Sequence, residues 1–242
     1  MRLIDRSTKS AIGLHLGHRD MNGPLLIKNC AIFGFRVGIQ SGLAVNSQTL
    51  ENITLREQSE VGFSNEGQTI AIRGLQSKNR VPAIKTYGTM AMIESKLEGM
   101  PGAENAPAVI NYNRGRIFAR DCQTLGYRRA LASLATPDSG AAYRMTDAEQ
   151  PATRGPNVRE FSSTDATNPS SGSNESLRLP IRPTPTLKWE SPAKWANAVD
   201  FGADPAGERD SSEAIQRAID SGASTVFLPG FMAIQRTVLV RG

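Results

Sequence analysis

Short aliphatic runs, each interrupted by one polar step, recur along the first half of the chain. The first runs Leu25-Leu26-Ile27-Lys28-Asn29-Cys30-Ala31-Ile32 and is followed by Val37-Gly38-Ile39. The second is Leu50-Glu51-Asn52-Ile53-Thr54-Leu55, then Val61-Gly62-Phe63. The third is Ile70-Ala71-Ile72-Arg73-Gly74-Leu75, then Pro82-Ala83-Ile84. The fourth spans Met92-Ile93 to Leu97, then Ala108-Val109-Ile110. The fifth is Ile117-Phe118-Ala119-Arg120-Asp121-Cys122, then Arg129-Ala130-Leu131. Alternation of period two within each run predicts strands, and a small residue before an apolar one marks each second strand.

The aliphatic positions Ile32, Leu55, Leu75 and Leu97 lie 23, 20 and 22 residues apart. The positions Ile39, Phe63, Ile84, Ile110 and Leu131 lie 24, 21, 26 and 21 apart. A period near 22 predicts one coil of a β-solenoid, in which short strands stack in parallel and inward side chains form aliphatic ladders. A single coil cannot bury its own apolar face, so stability comes from its neighbours. The Leu-x-x-Leu-x-Leu density of a leucine-rich repeat is missing, and frequent Gly, Asn and β-branched residues argue against helical repeats. The expected fold is therefore all-β, a parallel β-helix over residues 1–135.

Cys30 and Cys122 occupy similar points of the first and fifth coils. Four coil rises of roughly 4.8 Å separate them by about 19 Å, beyond the reach of a disulfide, which tolerates about 7 Å between Cα atoms. Two free, inward-facing thiols are expected.

Composition changes after Thr136. The polar stretch Ser162–Asn174 has almost no apolar periodicity, and Leu177 to Trp189 carries three prolines in six residues. Residues 136–196 read as a linker. Its Leu, Ile and Trp side chains need cover, which suggests a segment lying across a β-helix surface; a plain interdomain spacer is the alternative.

Residues 197–242 read as a second domain. Trp195 to Asp204 is an apolar strand turning at Gly202. Asp210 is expected to cap a helix, with Glu213 three residues on in a variant capping box. Ala214, Ile215, Ala218 and Ile219 share one helix face, and Gly222 marks the stop. Thr225 to Gly230 reads as a buried strand, with Ile234 and Val238-Leu239-Val240 continuing the strands. A helix laid over a solenoid end covers unpaired backbone and apolar core.

Val199-Asp200-Phe201-Gly202-Ala203, Asp210, Ala214-Ile215-Gln216-x-Ala218-Ile219 and Val226-Phe227-Leu228-Pro229-Gly230 together resemble the N-terminal signature of the pectate-lyase-like superfamily. The usual Pro-Pro-Gly-x-Tyr ending is altered to Pro229-Gly230-Phe231-Met232. The Pro-rich stretch before it resembles the bridge in tandem β-helix proteins such as the family 55 glycoside hydrolases, exo-acting β-1,3-glucanases. The resemblance implies that the β-helix is right-handed, and that the chain holds the end of one β-helix, a linker and the capped start of a second. It also implies a polysaccharide partner and an extracellular or periplasmic location for the full-length protein. In that family the general acid lies several coils into the second β-helix, so the resemblance implies that this chain, ending at Gly242, lacks it. The start lacks a cap before Ala11-Ile12-Gly13-Leu14. Both ends thus look cut, and the sequence reads as a fragment, inactive alone. The alternative is a non-catalytic polysaccharide-binding, adhesin or tailspike-like β-helix.

Candidate chemistry is sparse. Glycoside hydrolysis needs paired carboxyl groups, and the polygalacturonase motifs Asn-Thr-Asp, Asp-Asp and Gly-His-Gly are missing. Glu51, Glu57, Glu60, Glu66, Glu94, Glu98 and Asp121 are spread through the coils, as groove-lining or solvated residues. No residue is assigned a catalytic role. Asp200 and Asp204 suit turns better than an ion. His15 and His18 have no third partner for a metal, and no metal or other cofactor is expected. Net charge is +5, with +7 over residues 1–133 (17 Lys and Arg, 10 Asp and Glu) and −2 over residues 134–242 (11 and 13). The scattered positive residues form no run interleaved with aromatics, which argues against a nucleic-acid partner. No apolar run reaches eighteen residues, so no membrane helix is expected. The N-terminus lacks the apolar stretch of a signal peptide.

Overall fold

The structure, a computed structural model, describes residues 1–5, 11–17, 24–42, 47–112, 115–134, 152–164, 177–186 and 188–240. The chain divides into two compact units, Met1–Leu179 and Pro180–Gly242.

The first unit is a parallel β-solenoid. Strands β1 (Arg2–Ile4) and β2 (Ile12–Leu16) precede five full coils. The first coil holds β3 (Leu25–Phe33) and β4 (Val37–Ser41); the second, β5 (Gln48–Arg56) and β6 (Val61–Asn65). The third holds β7 (Ile70–Arg73), β8 (Gln76–Asn79) and β9 (Ile84–Thr86). The fourth holds β10 (Met90–Ile93), β11 (Lys96–Gly99) and β12 (Pro107–Tyr112); the fifth, β13 (Ile117–Leu125) and β14 (Arg129–Leu134). Two sheets result. A seven-stranded sheet contains β2, β4, β6, β9, β12 and β14 in order, and a nine-stranded sheet contains β1, β3, β5, β7, β8, β10, β11 and β13.

Parallel register builds the expected ladders. Ile27, Leu50, Ile72, Met92 and Ala119 form one inward column, and Leu14, Ile39, Phe63, Ile84, Val109 and Leu131 form another. All but Leu14 and Ile27 are buried. Two ladder assignments from sequence are corrected. Ser77, not Leu75, aligns with Leu55 and Leu97; Leu75 is buried two positions earlier. Val109, not Ile110, aligns with Ile84 and Leu131. Ile110 faces outward and packs with Tyr112, Ala132 and Leu134. Cys30 and Cys122 are buried free thiols in the core, as the coil count requires.

Each coil bends the nine-stranded sheet at the same point through one left-handed residue: Asn29 (φ 54), Asn52 (φ 53), Gly74 (φ 68), Glu94 (φ 49) and Asp121 (φ 53). Asn, Asp and Gly tolerate this conformation best. Asn52 Nδ2 donates to Asn29 Oδ1 at 3.2 Å along this outer column. At the corner before the seven-stranded sheet, the small residues are steric requirements. A Cβ on Gly62 would sit 2.5 Å from the Ala83 carbonyl oxygen. Where the seven-stranded sheet ends, a polar column runs inside the coil. Ser41 donates to Asn65 (3.0 Å), Asn65 to Thr86 (2.9 Å) and Asn111 to Ser133 (3.2 Å). These bonds pair most of the polar groups that would be costly to bury alone, although Asn111 Oδ1 has no donor among the described residues.

The stretch read as linker contains two further strands, β15 (Ala152–Thr153) and β16 (Asn157–Ser162). They pair antiparallel with β14 and β13, giving each a partner on its far edge. Most of the polar stretch, residues 165–174, lies outside the described residues. Arg178 reaches Asp121 Oδ1 (2.5 Å) and Glu160 Oε2 (3.6 Å), and Arg120 Nη2 donates to the Leu179 carbonyl (3.1 Å). Residues 178 and 179 thus lie against the solenoid, as the surface-lying reading expects. The contact leaves the apolar side chains beside it uncovered: Leu177 is 83% exposed, and Leu179 is also exposed. The attachment is ionic.

The second unit holds β17 (Ala196–Asn197) and β18 (Val226–Phe227), paired in parallel, and α1 (Ser212–Asp220). Ala196, Ala198, Ala203, Ala214, Ile215 and Ala218 form its core. The strand expected through Asp204 stops at Asn197, because residues 198–201 form a 3-10 turn that ends at Gly202 (φ 94). The strands expected over 225–230, 234 and 238–240 reduce to β18 and one bridge between Asp210 and Ala233. Phe227, Leu228, Phe231, Ile234, Leu239 and Val240 are exposed. The capping box is corrected as well. Ser211 is the N-cap, so Glu213 sits too early to reach back, and it pairs with Arg236 at 2.8 Å. Asp210 accepts from the Ser212 backbone N–H at 3.0 Å and from Gln235 N–H at 3.1 Å, tying the helix start to the following loop. Gly222 (φ 80) follows the helix end, as expected.

Candidate functional site

The carboxylates singled out in the sequence fall into separate groups. Glu51 and Glu94 share Arg73 at the bend of the nine-stranded sheet, at 3.1 and 2.8 Å, and Lys28 lies 3.4 Å from Glu51. Asp121 is held by Arg178. Glu98 pairs with Lys78 at 2.6 Å, and this hydrogen bond keeps its carboxyl below the usual range. Glu60 pairs with Arg36. Glu57 lines a cavity at the corner before the seven-stranded sheet. In the second unit the Asp204 carboxylate accepts backbone N–H bonds from Ala206, Glu208 and Arg209 at 3.1, 3.0 and 2.9 Å, which lower its pKa and fix the turn. Asp200 is exposed. His15 is exposed on β2, and His18 lies outside the described residues. Among the described residues, no three metal-ligating side chains come together.

Glu66 has different company. The register of the seven-stranded sheet puts Gly42, Glu66, Tyr87, Tyr112 and Leu134 in one outward column, just beyond the polar ladder. Tyr87 and Tyr112 stack with ring centroids 4.9 Å apart and planes 16° apart, matching the coil spacing. Leu134 follows Tyr112 in the column. The second face of Tyr87 turns toward the coil that carries Glu66, and Tyr87 is 39% exposed. Burial and then the Glu66 charge raise the Tyr87 pKa. Ser64 Oγ donates to Glu66 Oε1 at 2.5 Å, which orients the carboxylate. Two positions earlier on the same outward face, Ser64 and Lys85 pair across the same two coils. Gly42, one coil earlier, adds no side chain to crowd this spot.

This arrangement offers an aromatic face, a fixed carboxylate, a hydroxyl and an ammonium within two adjacent coils. It suits a ligand with an apolar C–H face and several hydroxyls. The carboxyl groups with resolved shifts, Glu98, Asp204 and Asp210, are all pushed toward ionisation. A glycosidic general acid requires the opposite.

Of these residues, only Glu66 was among the sequence candidates. Ser64, Lys85, Tyr87 and Tyr112 were missed. The signal was a large outward residue directly after the polar ladder position, in Asn65-Glu66, Thr86-Tyr87 and Asn111-Tyr112. No protein-family model matches the chain, and no curated protein matches it.

Proposed function

We propose that this chain is a polysaccharide-binding portion of a carbohydrate-active β-helix protein, engaging glycan on the outer face of its seven-stranded sheet. The observation that carries this reading is the Tyr87 ring, 39% exposed, in one column with the oriented Glu66 carboxylate. A pyranose ring laid on Tyr87 places C–H groups on the π-face. Its hydroxyls then reach Glu66 and Lys85. The likeness of residues 199–230 to the pectate-lyase-like signature supports a carbohydrate ligand and an exported full-length protein. The likeness to β-1,3-glucanases makes a glucan the first ligand to test.

Binding without cleavage is the better reading for this chain. Its coil carboxylates are largely committed to arginine, lysine or serine partners. An adhesin or tailspike-like module would use the same surface, and the glycan it prefers separates the two. The test is affinity electrophoresis in gels containing laminarin or polygalacturonate, with reducing-end and unsaturated-product assays alongside. Retardation by laminarin, reduced in Tyr87→Ala, without new chain ends, is expected. Equal migration of wild type and Tyr87→Ala in every gel would remove the outer-face reading. Clear turnover would remove the non-cleaving one.

A further inference from the structure

A cavity of about 530 Å³ opens at the corner leading into the seven-stranded sheet, lined by Glu57, Gln58, Ser59, Arg80, Val81 and Met100. Its size lies within the range of small-molecule sites, ~300–1,000 Å³. None of these residues belongs to the Tyr87 surface.

Gln58 fixes the shape of the wall. It is only 3% exposed. Its Nε2 lies 3.2, 2.8 and 2.8 Å from the carbonyl oxygens of Ile32, Gly34 and Arg56. Reversing the amide would set its oxygen against three acceptors, so the orientation is fixed. The Oε1 atom is left with no donor among the described residues. That atom has essentially no accessible surface, so Gln58 holds the corner in shape without offering this acceptor to the cavity.

The rest of the wall is equally specific. Glu57 adopts a left-handed backbone (φ 61), a conformation unfavourable for a non-glycine residue. Its N–H donates to the Lys78 carbonyl at 3.1 Å. Arg80 Nη1 donates to the Pro101 carbonyl at 2.8 Å, which pins the guanidinium at the site. Val81 is anchored through its carbonyl by the Tyr127 hydroxyl at 3.1 Å. With Met100 it forms an apolar wall. Glu57 and Arg80 carry opposite charges that sum to zero. The cavity therefore calls for a hydroxyl donor toward Glu57, an acceptor toward Arg80, a C–H surface toward Val81 and Met100, and no net charge.

We propose that this cavity binds a neutral sugar residue, free or at the end of a chain, as a site separate from the Tyr87 surface. The cavity must present Met100 to the sugar. Methionine methyl groups labelled with ¹³C report this directly, with Met100 assigned through Met100→Leu. Titration with methyl glucoside, laminaritriose and galacturonate is read at each methyl. Both neutral sugars should shift the Met100 signal saturably and leave the core residues Met90 and Met92 in place. A shift by laminaritriose alone would identify the chain end as the bound form. Arg80→Ala, at an exposed position, should weaken the response about tenfold. Tyr87→Ala should leave it unchanged, so loss of the outer-face reading and loss of this site are told apart. Four results would overturn the proposal: no saturable Met100 shift, a shift indifferent to Arg80→Ala, a response to galacturonate only, or a response abolished by Tyr87→Ala.

Discussion

Arg73 Nη1 lies 3.1 Å from Glu51 Oε1, and Glu51 is only 2% exposed. The same arginine reaches Glu94 in the next coil through Nε at 2.8 Å. One cation therefore ties three consecutive coils together at the bend of the sheet. Arg73→Met removes that tie and leaves Lys28, at 3.4 Å, as the ionic partner of a buried carboxylate. A loss of roughly 2–4 kcal/mol is expected, near the cost of breaking a buried pair. Urea unfolding of the variant measures it. Arg73→Met/Glu51→Gln should recover part of the loss, since no buried charge is then stranded.

Asn65 holds the inner polar column. It bonds Ser41, Thr86 and the Gln68 backbone. Asn65→Leu strands buried donors and acceptors on both sides, at about 1–3 kcal/mol for the group left unpaired. A lower melting temperature is expected, with the β-rich circular dichroism spectrum retained at 20 °C, about room temperature.

The thiols give a pH prediction with a definite sign. Burial raises Cys122 from 9.0 to about 11, despite hydrogen bonds that favour its thiolate. The native state thus keeps a proton that the unfolded chain releases. The contribution is complete below pH ~9 and is lost as pH rises toward about 11, a span of about 2–3 kcal/mol at most. Cys122→Ser or Cys122→Ala should flatten this part of the alkaline stability curve. A disulfide-exchange reagent at neutral pH should label Cys30 and Cys122 at the rate of unfolding.

In the second unit the sign reverses. The Ser212 hydroxyl and N–H lower Asp210 to about 2, and backbone N–H bonds lower Asp204. Both carboxylates favour the folded unit above the ordinary carboxylate pKa. The Asp210 contribution fades as pH falls from ~4 toward about 2, and that of Asp204 is lost as its lowered carboxyl protonates. Backbone amide signals of Ser212 and Gln235 should move together through the Asp210 window, Ala206 should report Asp204 separately, and Asp210→Asn should remove the Ser212 and Gln235 component.

Ionic attachment of residues 178 and 179 predicts a salt effect. Arg178→Ala, or about 1 M salt, which shortens the screening length to about 3 Å, should speed protease cleavage in 177–186. The solenoid itself should stay resistant. Equal cleavage rates for wild type and variant at low salt would count against the attachment.

The solenoid was legible in the sequence because stacking imposes the same apolar demand on every coil. The errors have a common cause. Leu75 and Ile110 are aliphatic and buried, yet they lie two positions and one position from the ladder residues. Corner lengths differ between coils, and hydropathy does not report whether a corner gained a residue before or after the strand. Asp210 shows the same limit at smaller scale. An aspartate before a helix binds the first turn whether it is the cap or its neighbour, and only the backbone placed Ser211 in that role. The tyrosine stack was invisible for another reason. Tyr87 and Tyr112 are 25 residues apart, and register makes them neighbours only once the coil lengths are known.

Register also makes the coil a unit of exchange. Gln48 and Met90 both pair with Ile70, from opposite sides of β7. Excising Ile70–Thr89 would let Thr69 run straight into Met90 and set β10 where β7 had been, with every inward residue still inward. Removing one residue from a strand would instead invert its facing and strand apolar groups outside. Length along the axis is thus cheap to vary in whole turns and expensive to vary in single residues, so the molecule accepts editing as a ratchet does, one notch at a time.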